Sequence, residues 1–466
     1  MTDPRMNEHE SEQVRRWLAA RDEAMPAPDT DHIMHETLSR LPTTPQARAR
    51  FLGRWFDRGR GARRRTADHD HPPDSDRRSR LMYSATAITA AIAITALAVN
   101  VIDTTPTQPS AGTFSTHVVA ADDSGDFTTI AEAVTAAAEG DTVLVRPGSY
   151  VEAIFIDKDI TLAGDGARED IVINPPEDGP TTVYEAPGIL YFEPAYALAI
   201  SDAQAEVRGL TFADARGAVV INGGSPTLSD LVFKGNEYGL LIHSGSTATI
   251  TDSLMDVGGI EFTDSEPLIE GNVLRDGASI SGGDGGVVRD NVLTDPGNGI
   301  NVSGTPLIEG NTVTRAGSVG ISASSMEGDA GAPIIVDNIV SGSRHGIQVG
   351  AGWDYDPSAD IDPDAARPIV TGNDISAELN ALSVNATDAT ISDNTVHHSW
   401  NGIVLVGGGS ADVMGNEIDV DGFGIDIGAN TSPSVDGNSV CGGSGSIKIH
   451  ETATPSMGEN TTCDGA

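Results

Sequence analysis

Two short stretches of the sequence carry side chains suited to binding or cleaving an acidic sugar. Arg344 and His345 form the first stretch, and His397, His398 and Trp400 form the second. Arginine pairs with carboxylates, and histidine exchanges protons near neutral pH. A tryptophan ring offers a flat apolar surface on which a sugar ring can stack. No catalytic triad is recognisable among these residues, so the sequence favours binding over catalysis and leaves the catalytic residues unassigned.

The segment 350–367 adds three candidate binding residues, Trp353, Asp354 and Asp356. It is an insertion between two copies of a repeated phrase, and insertions into repeat proteins leave as loops, often on the binding face. Alternating Asp side chains suit Ca²⁺, but the central Gly and terminal Glu of a calcium-binding loop are missing. The sequence therefore predicts no metal and no cofactor, with Ca²⁺ at this loop as the alternative to a solvated acidic loop.

A repeat that runs from Pro267 to Cys463 positions these candidates. Pro-Leu-Ile-Glu-Gly-Asn occurs at 267–272 and again at 306–311, and later copies keep the final asparagine. The last five copies, which end at Asn373, Asn394, Asn416, Asn438 and Asn460, are 21, 22, 22 and 22 residues apart. A second phrase, such as Asn-Gly-Ile-Asn-Val or His-Gly-Ile-Gln-Val, follows the asparagine. Both phrases alternate apolar and polar residues, which is typical of short strands with one buried face.

A period near 22 residues with a recurring asparagine fits two repeat folds. Leucine-rich repeats need a Leu-x-x-Leu-x-Leu frame, whereas the buried positions here are mainly Ile and Val. The pattern predicts instead an all-β right-handed parallel β-helix, whose equivalent residues stack roughly 4.8 Å apart. We expect the five asparagines to form a ladder of hydrogen-bonded amides. Gly or Asp precedes each of the first four of these asparagines, and Gly supplies the positive φ that a tight turn requires.

The stacking predicts which distant residues become neighbours. Alignment of the coils on the Gly-Ile phrase puts Arg344 in register with Trp400, two coils and roughly 10 Å away. Cys441 and Cys463 are 22 residues apart, so they fall at the same point of adjacent coils and within disulfide range. An oxidising compartment would let this disulfide form and staple the last coil.

The solenoid is predicted to begin near Phe114 and to be closed by a capping helix over 131–139. One face of this helix carries Ile130, Ala133, Val134 and Ala137. Gly140 follows at the position where glycine commonly ends a helix. Such a helix would cover the first coil, which otherwise exposes strand edges.

The stretch 123–166 resembles the opening of pectinesterases and of other pectin-lyase-like β-helix proteins. The resemblance is carried by Gly-Asp-Phe-Thr-Thr-Ile-Ala-Glu-Ala-Val, Val-Arg-Pro-Gly-Ser-Tyr-Val-Glu and Ile-Thr-Leu-Ala-Gly-Asp-Gly. It implies a right-handed β-helix over 114–466. The pectinesterase motifs of the type Gln-Asp-Thr-Leu, Asp-Phe-Ile-Phe-Gly and Gly-Arg-Pro-Trp do not occur, and polygalacturonase motifs are also missing. The resemblance therefore implies no esterase or polygalacturonase activity.

The residues ahead of the solenoid divide into three segments. Residues 1–80 contain 16 Arg and 14 acidic residues and are predicted to be a partly helical or disordered arm. Leu81–Ile102 carries no charge and is long enough to cross a bilayer, with arginines crowded on its N-terminal side. A single transmembrane helix with a cytoplasmic arm is thus predicted, followed by a linker over 103–113. A signal peptide cut after Ala96-Leu97-Ala98 is the alternative.

The charge balance narrows the class of partner. Residues 103–466 contain 12 basic and 54 acidic residues, which argues against nucleic acid and anionic lipid as partners of this part. The sequence predicts a membrane-anchored, extracytoplasmic β-helix protein that binds cell-surface or extracellular polysaccharide. A polysaccharide lyase or glycoside hydrolase acting on acidic sugars is one alternative, and a structural or adhesion protein is another. No feature of the arm identifies its protein partner.

Overall fold

The chain winds into a right-handed parallel β-helix of about 14 turns, as the repeat predicts. The computed structural model describes residues 114–176, 183–186, 189–192, 196–324, 332–350 and 367–463. All of them belong to the unit Thr113–Ala466. The predicted arm over 1–80, membrane helix Leu81–Ile102 and linker over 103–113 lie outside the described residues. Within the described ranges, no helix is long and apolar enough to span a bilayer.

Each complete coil gives one strand to each of three parallel sheets, counted over the described residues. Sheet 1 has fifteen strands: Thr116–Val119, Thr142–Val145, Thr161–Gly164, Glu206–Arg208, Thr227–Ser229, Thr249–Thr251, Leu268–Glu270, Val287–Arg289, Leu307–Glu309, Ile334–Val336, Ile369–Thr371, Thr390–Ser392, Asp412–Met414, Ser434–Asp436 and Ser456–Met457. Sheet 2 has fourteen: Gly148–Val151, Ile171–Asn174, Thr211–Ala213, Val232–Lys234, Leu254–Asp256, Val273–Gly277, Val292–Pro296, Thr312–Thr314, Ile339–Ser343, Asp374–Ala377, Thr395–His397, Glu417–Val420, Ser439–Gly442 and Thr461–Thr462. Sheet 3 has thirteen: Ile154–Ile156, Tyr196–Ser201, Gly217–Asn222, Tyr238–His243, Ile260–Phe262, Ile280–Gly282, Ile300–Ser303, Val319–Ser324, His345–Gly350, Asn380–Asn385, Asn401–Val406, Phe423–Ile427 and Gly445–Ile449.

Two smaller elements interrupt the coils. An antiparallel hairpin, Val183–Ala186 and Ile189–Phe192, precedes the second strand of sheet 3. A single turn of 3₁₀ helix, Arg168–Asp170, leads into sheet 2. Apart from these, the described coils keep their register except between Val340 and Ser343, where the pairing with the strand Asp374–Ala377 shifts.

The core lies inside the solenoid and is built from columns of like residues. In sheet 1, Ile269, Val288 and Ile308 pair in register in successive coils, and each is fully buried. Because side chains alternate between the two faces of a strand, the residues on either side of these point outward. The outward positions of the three sheets are therefore the surfaces available to a ligand.

A ladder of buried asparagines follows the turn between sheets 1 and 2. It comprises Asn272, Asn291, Asn311, Asn338, Asn373, Asn394, Asn416, Asn438 and Asn460. The side-chain amide of Asn394 donates to Oδ1 of Asn416 at 3.0 Å and to the carbonyl of Val370 at 3.0 Å. The 35-residue interval before Asn373 leaves the ladder intact, since Asn338 N–H still donates to Asn373 Oδ1 at 2.9 Å. Each side-chain amide thereby satisfies the hydrogen-bonding groups of a buried turn.

The residue before each of these asparagines alternates between Gly and Asp through much of the ladder. Gly271, Asp290, Gly310, Asp337, Gly372, Asp393 and Gly415 all have positive φ. Both residue types tolerate this conformation better than others do. A Cβ atom at Gly415 would lie 2.8 Å from Oδ1 of Asp393 in the preceding coil. The glycine therefore also leaves room for its neighbour's carboxylate.

A helix at Ile130–Ala136 packs in the core of the first coil. The prediction of a helix to residue 139 was wrong, because Ala137 is already extended, with φ −64° and ψ 140°. The carboxylate of Asp141 accepts a hydrogen bond from Ala138 N–H at 3.0 Å, which holds the chain in a turn there. Gly140, with φ +83°, belongs to that turn and not to the helix end.

A disulfide joins Cys441 and Cys463 at the other end of the solenoid. Their Cα atoms are 5.0 Å apart, one coil of 22 residues separating them. Cys441 lies in the sheet 2 strand Ser439–Gly442, and the N–H of Cys463 donates to the carbonyl of Val440 at 3.2 Å. The bond therefore fastens the last described coil to the one before it.

Candidate functional site

Arg344, His345 and Trp400 lie along the same corner, where the chain passes from sheet 2 to sheet 3. The N–H of Leu379 donates to the carbonyl of Arg344 at 2.9 Å, and the N–H of Asn401 donates to the carbonyl of Leu379 at 2.8 Å. Trp400 directly precedes Asn401, so Arg344 and Trp400 occupy equivalent points two coils apart, about 10 Å from each other. Both side chains are partly buried, and His345 begins the adjoining strand of sheet 3.

Two neighbouring histidines form a hydrogen-bonded chain with an aspartate before this corner. Nε2 of His397 lies 2.7 Å from Oδ1 of Asp374, and Nδ1 of His397 lies 2.7 Å from Nδ1 of His398. An ionised carboxylate only accepts hydrogen bonds, so His397 donates from Nε2. When His397 is neutral, its Nδ1 accepts from His398. The Nε2 atom of His398 then carries a lone pair that can take a proton.

The candidate residues of the long insertion, Trp353, Asp354 and Asp356, lie outside the described residues, as does most of the predicted Ca²⁺ loop. Where the chain returns, Arg367 donates to Asp412 at 2.7 Å and lies 3.6 Å from Asp388. These two carboxylates compensate its charge. Among the described residues, no group of three or more His, Cys, Asp or Glu is placed to hold a metal ion.

Two insertions follow the C-terminal ends of neighbouring strands of sheet 3, and we refer to this side of the sheet as its edge. One, over 325–331, follows the strand Val319–Ser324, and the other, over 351–366, follows the strand His345–Gly350. The two strands are neighbours in the sheet, since they pair in parallel register. Because insertions in solenoids commonly border the binding face, this topology singles out sheet 3.

The outer face of sheet 3 carries a stack of uncharged polar side chains. We term this stack the neutral column; it consists of Ser281, Asn301, Ser322, Gln348 and Ser383, paired in register in five successive coils. All five are at least partly exposed. Their side chains make no hydrogen bond to another described residue. Since hydroxyl and amide groups both donate and accept hydrogen bonds, the column is available to a ligand.

Charged pairs occupy the corresponding outward positions on the other two sheets. On sheet 1, Arg289 donates to Glu270 at 3.0 Å, and on sheet 2, Arg275 donates to Asp256 at 2.5 Å. The hydrogen bond to Glu270 is the largest cause that raises the pKa of Arg289; burial opposes it, and the charges of nearby carboxylates reinforce it. In these coils the outward positions of sheets 1 and 2 are therefore held by ion pairs within the chain, whereas the neutral column of sheet 3 consists of uncharged side chains.

A family model agrees with this architecture over part of the chain. Residues 196–355 match a family model described as "Right handed beta helix region". The A-module of mannuronan C-5 epimerase AlgE6 from Azotobacter vinelandii is similar at 16% identity and a TM-score of 0.45, covering 72% of this chain and 95% of that chain. Tailspike protein 3 of bacteriophage CBA120 is similar at 13% identity and a TM-score of 0.48, covering 74% of this chain and 60% of that chain.

A third similar structure is pectin methylesterase PemA from Erwinia chrysanthemi, at 14% identity and a TM-score of 0.30. It covers 57% of this chain and 80% of that chain. No curated protein matches the sequence significantly. The three sheets, the asparagine ladder and the family match together identify the chain as a right-handed parallel β-helix protein, with residues 196–355 matching the family of right-handed β-helix regions.

Proposed function

We propose that the chain binds a polysaccharide along the outer face of sheet 3. The neutral column carries this proposal, because it offers one hydrogen-bonding side chain in each of five successive coils. Sugar hydroxyls donate and accept hydrogen bonds, as Ser, Asn and Gln side chains do. A sugar polymer laid across the coils meets a partner roughly every 4.8 Å.

The borders of sheet 3 support the same assignment. At the corner that begins its strands, the ring of Trp400 supplies flat apolar surface on which a sugar can stack, and Arg344 and His345 add hydrogen-bond donors. The insertion that contains Trp353 starts at the opposite edge of the sheet. A few polar groups between such borders are what fixes the orientation of a ligand in most binding sites.

Affinity electrophoresis of the full chain in detergent, through gels that contain single polysaccharides, tests this proposal. Replacing Asn301 and Gln348 together by Ala should weaken binding by about thirtyfold, since each loses a net hydrogen bond worth about 1 kcal/mol. The matched control is Thr314→Ala, an outward residue of sheet 2. Equal weakening by the control, or no retardation by any polymer, would count against sheet 3 and in favour of a structural role.

A polysaccharide lyase or glycoside hydrolase is a second candidate, favoured by the chain of hydrogen bonds from Asp374 through His397 to His398. General acid–base catalysis requires a side chain that exchanges protons near neutral pH. Release of reducing ends or unsaturated products from the bound polymer would reveal such activity. His398→Gln should abolish that release while the polymer is still retained; an unchanged rate would exclude His398 as the base.

We also propose that Leu81–Ile102 anchors the chain in a membrane, with residues 1–80 in the cytoplasm and the β-helix outside. The uncharged length of this segment and the arginines before it support the orientation. The disulfide fits an oxidising exterior. Protease added to intact cells should degrade the β-helix and spare the arm. Recovery of the whole chain in a soluble fraction would argue against an anchor, and recovery of a chain shortened at its N-terminus would argue for cleavage.

A further inference from the structure

From the charges around the neutral column, we infer that the polysaccharide bound by sheet 3 is an uncharged polymer and not a polyuronate. This inference rests on the proposed function, because it names the class of polymer that occupies the proposed site. Arg344 and His345 alone suggest an acidic sugar. The structure places them at a corner beside the column, and the column itself contains no charged residue.

A carboxylate stands at one end of the neutral column, and an ion pair lies beyond the other. Glu261 precedes Ser281 in register and is exposed. At the other end, Val404 follows the column and Asp426 follows Val404. Lys448 lies 3.2 Å from Asp426, so these two charges compensate each other. A polyanion along the column would therefore meet the carboxylate of Glu261 at one end and find no cation within the column.

The charge of the chain also disfavours an anionic ligand. Arg367, where the described chain resumes, is paired with Asp412. With 54 acidic against 12 basic residues in 103–466, the field of this part of the chain repels anionic polymers at low ionic strength. At physiological salt that repulsion still acts within about 8 Å of the surface.

A single arginine at the corner does not reverse this balance. A polyuronate carries one carboxylate on each sugar, and a segment that crosses the five coils of the column brings several of them. Arg344 can pair with one carboxylate at most in a bidentate manner. The other carboxylates would be held against hydroxyls and amides in a strongly acidic part of the chain, an arrangement that costs binding energy. Uncharged sugars avoid this cost and use the same hydroxyl and amide partners.

Matched polymer pairs that differ only in charge test the inference on the full chain in detergent. Suitable pairs are galacturonan with its carboxyl-reduced form, and carboxymethylated with unmodified β-glucan. We expect the neutral member that binds to be held at least about tenfold more tightly than its anionic partner at low salt. Raising the salt concentration should leave neutral binding unchanged and narrow the difference.

Variants of Gln348 separate the inference from the proposed function. Gln348→Ala should weaken binding of the neutral polymer, whereas Gln348→Lys should raise affinity for the anionic member of the pair. If the anionic member binds more tightly and Gln348→Ala weakens it, the polymer class is wrong and the sheet 3 site stands. If no member of any pair binds, the proposed function itself fails, and the inference falls with it.

Discussion

Glu152 and Lys158 hold opposite ends of the same helix. The two Oε atoms of Glu152 accept hydrogen bonds from the N–H groups of Ile130, at 2.9 Å, and Ala131, at 2.7 Å. Lys158 donates from Nζ to the carbonyl of Ala137 at 3.0 Å. A carboxylate at the N-terminus and an ammonium at the C-terminus are the charges that the helix dipole favours. The coil after the helix thus fixes the element that covers the start of the core.

Removing either charge should loosen the helix. Glu152→Ala leaves two N–H groups without their partner, so we expect the free energy of unfolding to fall by about 1 to 2 kcal/mol. Urea denaturation gives that value, and faster hydrogen exchange within Ile130–Ala136 would localise it. Glu132→Ala, an exposed position on the same helix, should change the exchange little. Equal acceleration in both variants would show that Glu152 has no special role.

The asparagine ladder should be a main source of stability. Asn394→Ala removes an amide that is 1% exposed and leaves the N–H of Asn373 and the carbonyl of Val370 unsatisfied. We expect a loss of about 2 to 4 kcal/mol, measured by denaturant unfolding. Asn301→Ala, at the exposed surface of sheet 3, serves as the control and should cost less than about 0.5 kcal/mol. A small effect at both positions would mean that the stacked amides contribute little.

Asp and Gly alternate at the position directly before the ladder asparagines, so substitutions in neighbouring coils should be coupled. Gly415→Ala should destabilise by about 1 to 2 kcal/mol from its positive φ, and further because its Cβ would lie 2.8 Å from Asp393 Oδ1. In an Asp393→Gly background the second part should disappear. Gly271→Ala is the control, since its φ is similar and its Cβ would lie 3.6 Å from Asp252 Oδ1. Thermal unfolding of Gly415→Ala, Asp393→Gly, the double variant and Gly271→Ala checks this. If the contact is unimportant, the losses of stability of the two single variants at 393 and 415 will add up in the double variant.

Asp141 gives the start of the solenoid a dependence on acid pH. Its carboxylate accepts hydrogen bonds from the N–H groups of Ser115 and Ala138 and from His117, in that order of effect, which lowers its pKa to about 2. A depressed pKa stabilises the folded state above the ordinary value of 3.8, and this contribution is lost as the pH falls toward about 2. Melting temperatures between these pH values should fall steeply in the wild type and less in Asp141→Asn. Parallel curves would contradict this.

Reduction of the disulfide should weaken the last coil. Opening a loop of 22 residues costs about 3 kcal/mol in the chain-entropy model. We therefore expect dithiothreitol to lower the denaturation midpoint of the wild type. A variant with both Cys441→Ser and Cys463→Ser should start at the lower midpoint and not respond to the reductant. A wild-type midpoint that ignores reductant would show that the last coil stands without the bond.

The sequence predicts the fold well because a solenoid repeats one local rule. A period of 21 or 22 residues places Asn373, Asn394 and Asn416 in one stack, and the same offset brings Cys441 to Cys463. The end of the helix was mispredicted because tertiary contact decides it. Asp141 binds the N–H of Ala138 from four residues beyond Ala137, where periodicity gives no signal.

The candidate site was harder to predict because its members lie in different coils. The neutral column escaped notice, although Asn301 and Gln348 directly follow Ile in two copies of the Gly-Ile phrase. Its signal is a position that stays uncharged while its side chain varies, and a search for charged or aromatic residues overlooks it. Asp374 was missed because it is 23 residues before His397, and only folding joins them.

The bond between Cys441 and Cys463 bears on how long the molecule lasts among proteases. Interior windings are shielded on both sides, so fraying starts at an end of the stack. One end is shut by Ile130–Ala136, and the other is shut by a covalent link. Local unfolding of the last winding would expose it to proteases and would then expose the next winding. The lifetime of the whole solenoid is thus tied to the redox state of one pair of sulfur atoms.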